Sequence, residues 1–267
     1  MLRIAFGFAG LVLLASCATA PQVSPAVRSD LAPTGRLRAA INFGNPTLAM
    51  KDPSGGEPRG VSVDLSRELA RRLGVPVELV TFNAAGKVVE ALKAKQLDVG
   101  FVAIDPARAV DISYSAAYVV IEGVYLVPQG SPIRSNAEVD RGGVRVAVGL
   151  ASAYDLYLSR ELKQAKIVRA PTSPAVVDFF VAEKLDVAAG VKQQLEADAR
   201  RISGLRLLEG RFMVINQAMG TPRGREAGAR YLREFVEEMK ASGFVAAAIA
   251  RSGVGGVAVA PAAPIDP

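Results

Sequence analysis

From residue 37 the chain alternates short apolar runs with longer mixed stretches. LRAAINFG (37–44) reads as a strand closed by a glycine, and the stretch carrying LSREL (65–69) reads as a helix. VELVTFNAAGKVVEALKAKQLDVGF (77–101) then gives a strand, a loop, a helix opening at Val88, and a second strand entered through Leu97-Asp98-Val99. The pattern is written twice. AKIVRAPTSPAVVDFFVAEKLDVAA (165–189) aligns with 77–101 without a gap, its helix opening at Val176. LSREL recurs at 158–162, and VRVAVGLA (144–151) corresponds to 37–44. Each half therefore reads β-α-β-α-β, a small parallel sheet flanked by helices. The expectation is two similar α/β lobes rather than one long sheet.

After the second copy, GRFMVINQAMGTPRG (210–224) predicts one more strand. Two helices follow, at about 225–242 and 244–251, with Tyr231, Phe235 and Met239 near a helical repeat and Gly243 as a stop. Open α/β sheets bind ligands beyond the carboxyl ends of their strands, so two such lobes facing one another predict a cleft.

The ends read differently. MLRIAFGFAGLVLLASCATA starts with Arg3, runs apolar from Ile4 to Ala15 and turns to small residues. Roughly a dozen apolar residues fall short of the about 20 a spanning helix needs, but suit an export signal. Leu14-Ala15-Ser16-Cys17 resembles a bacterial lipobox, which makes Cys17 the lipidated first residue of the mature chain; cleavage after Ala18-Thr19-Ala20 is the competing reading. Residues 18–34, rich in Ala, Pro and Ser, read as a flexible tether, and 251–267 as a disordered tail.

Composition changes the picture mainly by what it removes. The chain has no histidine, which excludes Ser-His-Asp and Cys-His catalysis and His-ligated metals. Its single cysteine excludes an internal disulfide and a thiolate cluster. No cofactor is expected. The net charge of +6 raises nucleic acid as a partner, but the arginines in SRELARRLG (66–74) and RYLREFVEEMK (230–240) alternate with glutamates. That is a solvated helix face, and nucleic-acid binding is not expected.

Taken in order, several short motifs resemble the bacterial extracellular solute-binding proteins of family 3, the amino-acid-type binding proteins of ABC importers. They are Asn42-Phe43-Gly44-Asn45-Pro46-Thr47-Leu48 after the first strand and Gly60-Val61-Ser62-Val63-Asp64-Leu65 leading into a helix that ends in Leu73-Gly74. Leu92 to Asp98, Pro106-Ala107-Arg108 and Tyr114-Ser115-Ala116-Ala117-Tyr118 complete the set. The resemblance covers 35–250 and implies the two-lobed type II periplasmic-binding-protein fold. Lobe 1 would be 35–122 with 218–250, and lobe 2 would be 123–217. It also implies a monomer in the periplasm or cell envelope that touches the membrane only through its lipid and passes a small-molecule ligand to ABC permease subunits.

The same resemblance gives Arg108 the role of clamping a ligand carboxylate, a task that suits the bidentate guanidinium fork. Asn42 and Asn45 would line the first-lobe strand end. Across the cleft, Ser152 and the free N–H groups near Ala153 would meet an anion, although Ser152 also reads as a plain N-cap with Asp155. Some positions depart from the family: Asn45 replaces a stacking aromatic, Asp105 replaces a threonine, and Val191, followed by Lys192, stands where a carboxylate meets the ligand's ammonium. Either Asp105 supplies the counter-charge from lobe 1, or the ligand has no ammonium and Lys192 with Arg108 suits an acid with two anionic groups. Two other functions stay open: an enzyme on this scaffold eliminating water or carbon dioxide from a cyclic acid, with Asp105 as base, and a sensory or partner-binding protein that has lost transport.

Overall fold

The computed structural model describes residues 23–264. The expected signal segment, the lipidation site Cys17 and the first residues of the expected tether lie outside the described residues.

The chain begins with α1 (Pro25–Leu31) and β1 (Leu37–Asn42), then α2 (Val61–Leu73), β2 (Val77–Phe82), α3 (Ala85–Lys93) and β3 (Gly100–Ala103). A 17-residue strand, β4 (Ile112–Pro128), leads away from this lobe. The second lobe holds β5 (Arg145–Gly149), α4 (Ala153–Glu161), β6 (Lys166–Ala170), α5 (Val176–Ala182), β7 (Val187–Val191), α6 (Lys192–Arg201) and β8 (Leu205–Leu207). The chain returns along β9 (Met213–Pro222) and ends with α7 (Glu226–Ala241), α8 (Phe244–Ser252) and β10 (Ala258–Val259).

The two copies seen in the sequence occupy the two lobes. In the first, β1 pairs in parallel with β2 and bridges in parallel to the entry of β3 at Ala39 and Val99. In the second, β5 lies parallel between β6 and β7. The lobes share β4 and β9, which run antiparallel from Ile112↔Pro222 to Gly123↔Met213. β3 joins β9, and β7 joins the far half of β4, so one ladder continues from lobe to lobe. The expected separation into two sheets is therefore softened. A strand of 17 residues spans about 55 Å, enough to serve both lobes.

A clasp appears in each copy. Arg38 donates its backbone N–H and its Nε–H to Asp98 Oδ2, at 2.9 and 3.0 Å. Arg145 does the same to Asp186 Oδ2, at 2.8 and 3.2 Å. Each guanidinium also reaches a carbonyl just ahead of its aspartate, on Lys95 or Lys184, residues that both adopt left-handed backbone with φ of 55° and 49°. The Leu-Asp-Val repeat is thus the acid half of a strand-to-strand tie. The first copy is the deeper one: Asp98 is fully buried and also accepts from Arg225 at 2.9 Å.

Two readings of the termini change. Within the expected tether, 25–31 is a helix because Ser24 caps it, Pro25 suits its first turn, and Val27 and Leu31 are buried one helical turn apart. Its carboxyl end docks on α7, where Asp30 accepts from the Gly228 N–H at 2.9 Å. A Cβ at Gly228 would lie 2.8 Å from Asp30 Cβ, so the close approach needs glycine. Within the expected disordered tail, β10 pairs with β4 through Ala258↔Val120 and Val259↔Val119, and Val257 and Val259 pack on the core. Around Val119 and Val120 β4 is paired with β9 on one side, before its pairing with β7 begins at Gly123, and the open hydrogen-bonding groups of the other side recruit such a segment. Lys240 Nζ donates to the Pro261 carbonyl at 2.8 Å and holds it there. The helix expected from Val88 also starts earlier, at Ala85.

Among the described residues no helix is long and apolar enough to cross a membrane, and no cluster of carboxylates could hold a metal ion.

Candidate functional site

The carboxyl ends of β1, β3, β5 and β7 meet between the lobes around a cavity of about 30 Å³. A space of that size holds about one water, so the lobes stand closed on one another.

Arg108 is set by local geometry. Asp105 Oδ1 accepts the Ala107 N–H at 2.9 Å, and the Asp105 carbonyl accepts from the N–H groups of Arg108 and Ala109. This single tight turn after β3 points the guanidinium into the cleft, where Arg108 is 3% exposed. Its Nη1 donates to the Ala103 carbonyl at 3.1 Å within the same lobe. Its Nη2 donates across the cleft to the Ala151 carbonyl at 2.9 Å. Among the described residues no carboxylate lies within salt-bridge distance of it; Asp111, three residues on, pairs with Lys93 at 3.1 Å. Burial pulls the Arg108 pKa below its ordinary value, partly offset by Tyr114 and Asp105, yet a guanidinium stays charged at neutral pH. Tyr114 shares the Ala103 carbonyl, and burial pushes its phenol up to about 12.

Asp105 does not stand free to meet an amine. Its Oδ2 accepts from Arg160 Nη2 of α4 at 2.9 Å, an ion pair that bridges the lobes, and Asp105 itself is buried. The proposed counter-charge is already taken, which corrects that expectation.

Ser152 opens α4 as its N-cap, accepting the Asp155 N–H at 3.0 Å. Asp155 returns the contact by accepting the Ala151 N–H at 2.9 Å and is held by Arg169. Ala151 adopts left-handed backbone, φ 55°, which turns its carbonyl toward Arg108. The capping role of Ser152 is met, and its residue also lines the cleft. Among the described residues the N–H groups of Ala153 and Tyr154, also in the lining, meet no acceptor.

Asn42 and Asn45 both line the cleft. Asn42 Oδ1 accepts from the Gly44 N–H at 2.9 Å, which shapes the turn after β1. Asn45 Oδ1 is buried and has no partner among the described residues. Val191 faces the cleft at the end of β7. Lys192 does not: it pairs with Glu122 on β4 at 3.2 Å and its side chain is 43% exposed, so the expectation of a ligand-binding Lys192 is corrected. Val191 ends β7 and Lys192 is the first residue of α6, whose first turn directs the lysine toward Glu122 on β4.

Sequence reading missed part of the wall. Gln217, on β9 opposite Ala103 of β3, brings a buried amide, and Phe101, Ser173 and Ile215 complete the surface. Nothing in VINQA marked Gln217 as more than strand; only the antiparallel register places it there. Taken together the lining carries one charged side chain, Arg108, three amides and a few hydroxyls against apolar residues. Such a surface can hold one small anion and donate or accept several neutral hydrogen bonds.

Comparison with known proteins agrees with this architecture. No curated protein matches the sequence. Among solved structures, a mutant of ArgBP from T. maritima is 21% identical, with TM-score 0.73, covering 85% of this chain and 99% of that one. A histidine kinase sensor domain with similarity to periplasmic binding proteins is 20% identical, with TM-score 0.73, covering 84% and 98%. The ancestral amino acid-binding protein AncCDT-1, a precursor of cyclohexadienyl dehydratase, is 21% identical, with TM-score 0.69, covering 81% and 95%. At these identities the likeness establishes the two-lobed fold. The family model for bacterial extracellular solute-binding proteins, family 3, matches residues 37–252, and the chain belongs to that family.

Proposed function

We propose that this protein captures a small carboxylate-bearing solute between its lobes, outside the cytoplasm, and delivers it unchanged to an ABC permease. The observation that carries the reading is Arg108, a buried cation in the cleft wall with no carboxylate partner among the described residues. A buried charge without a counter-charge is costly, and a solute carboxylate supplies one. The carboxylate would displace the Ala151 carbonyl from Nη2, replacing a neutral acceptor by an ionised one, which makes a hydrogen bond roughly twice as strong. The N–H groups of Ala153 and Tyr154, at the start of a helix, favour the same anion from the other lobe.

A solute of several heavy atoms enters only when the lobes part, so binding follows an open–closed equilibrium. Flexing would fall on β4 and β9, whose pairing shifts register between Tyr114 and Val119. The closed form is then favoured by the contacts each lobe makes with the solute. Export and anchoring through Cys17 belong to the same proposal, because a tethered binding protein stays beside its permease.

The test is mass spectrometry of solute released from the purified protein, followed by calorimetry with that compound on wild type and Arg108→Ala. Truncating one side of a buried charge pair costs roughly 2–5 kcal/mol of binding. Equal affinity in the two proteins sinks the clamp, and a solute lacking any acid group sinks the substrate class.

A further inference from the structure

The next step rests on the carboxylate reading and concerns the rest of the solute. Three charged groups meet where the lobes close: Arg108, Asp105 and Arg160. Asp105 and Arg160 neutralise one another at 2.9 Å, and the second oxygen of Asp105 is held by the Ala107 N–H. Asp105 is 4% exposed, which leaves little room for another donor. One positive charge therefore remains, on Arg108, and a single carboxylate balances it.

An ammonium on the same solute would find no such balance. The lining holds no acid, and the lobe 2 residue at the end of β7 is the apolar Val191. The acceptors in the lining are neutral: the amides of Asn42, Asn45 and Gln217 and the hydroxyls of Ser152, Tyr154 and Ser173. Asn45 adds a specific demand. Its Oδ1 is buried without a partner among the described residues, and buried acceptors are nearly always satisfied. A hydroxyl satisfies it without bringing a second buried charge beside Arg108.

We infer that the preferred solute is a small hydroxy acid, with one carboxylate for Arg108, a neutral hydroxyl for the Asn45 amide, and no ammonium. Arg160 acts as a specificity-determining residue although it sits outside the cleft wall. By occupying Asp105 it neutralises a carboxylate next to Arg108 that would otherwise reward an amine, as Arg169 does for Asp155 behind Ala151.

The experiment is isothermal titration of the purified protein with matched pairs: glycolate and glycine, lactate and alanine, glycerate and serine, 2-hydroxyisocaproate and leucine. At least one hydroxy acid should bind, with its amino partner on the order of 100-fold weaker or worse, as expected for a charge buried unpaired. Arg160→Gln, which frees Asp105, should narrow that gap by about tenfold, whereas a merely structural arginine would weaken both members alike. An unchanged gap in Arg160→Gln overturns the role given to Arg160. An amino acid that binds as well as its hydroxy partner in wild type, and is lost in Arg108→Ala, overturns the hydroxy-acid inference while leaving the carboxylate reading intact. Binding that survives in Arg108→Ala, or no binding by any member, overturns the carboxylate reading and the inference with it.

Discussion

Replacing Arg160 with glutamine should loosen the closed form. The Asp105–Arg160 bond at 2.9 Å ties the lobes together beside the cleft, as does Arg108 to the Ala151 carbonyl. Asp105 is buried but the Arg160 side chain is 43% exposed, so the pair lies between a surface bridge and a buried one. Surface pairs contribute about 0–1 kcal/mol, and hydrogen bonds to charged groups about 1.5–3 kcal/mol. With one partner half in water, about 1–2 kcal/mol is reasonable, a shift of roughly 5- to 30-fold toward the open form. Spin labels at Lys87→Cys on α3 and Lys166→Cys on β6, both exposed, would report the distance between lobes in a Cys17→Ser background. Arg160→Gln and Asp105→Asn should each broaden the distribution toward longer distances. The double variant should recover part of the loss, because two neutral amides no longer strand a buried charge. A coupling energy below about 0.3 kcal/mol in that cycle would refute the latch.

The two clasps and one carboxylate on the outer surface make further tests. Asp98 is fully buried between Arg38 and Arg225, so Asp98→Asn should cost about 3–5 kcal/mol in urea unfolding, while Asp186→Asn, whose side chain is 40% exposed, should cost about 1 kcal/mol or less; equal losses would contradict the burial argument. Glu68 is held down to about 2 from an ordinary value of 4.5, first by the Arg71 hydrogen bond and then by Arg72. A lowered folded value means its contribution is full above about pH 4.5 and is lost as pH falls toward 2. Melting temperature followed across that window should therefore fall less steeply in Glu68→Gln than in wild type.

Much of the fold was legible because it is local. The repeated apolar runs give the strands, and Leu-Asp-Val marks the entry to β3 and to β7 in both copies. The helix over 226–241 follows from Tyr231, Phe235 and Met239 recurring at a helical interval. The termini misled for the opposite reason. Residues 25–31 are rich in residues common in tethers, and only a partner surface on α7 makes a helix of them worth ordering. VAV at 257–259 became a strand because β4 had an edge to offer.

In the site the division is sharper. Arg108 could be singled out from its short motif, and Ser152 from its place ahead of a helix with Asp155 three residues on. Their partners could not. Whether Asp105 faces a solute or another residue depends on Arg160, 55 residues away and in the other lobe. Gln217 reaches the cleft through strand register, and Lys192 leaves it because Val191 takes the inward position. By itself the sequence determined the strands and helices of the repeated core, that the pattern occurs twice, and that an arginine follows the strand entered through Leu97-Asp98-Val99. The tertiary structure alone decided which charges cancel, since cancellation depends on distance through space and on exclusion of water, and neither is carried by the order of residues.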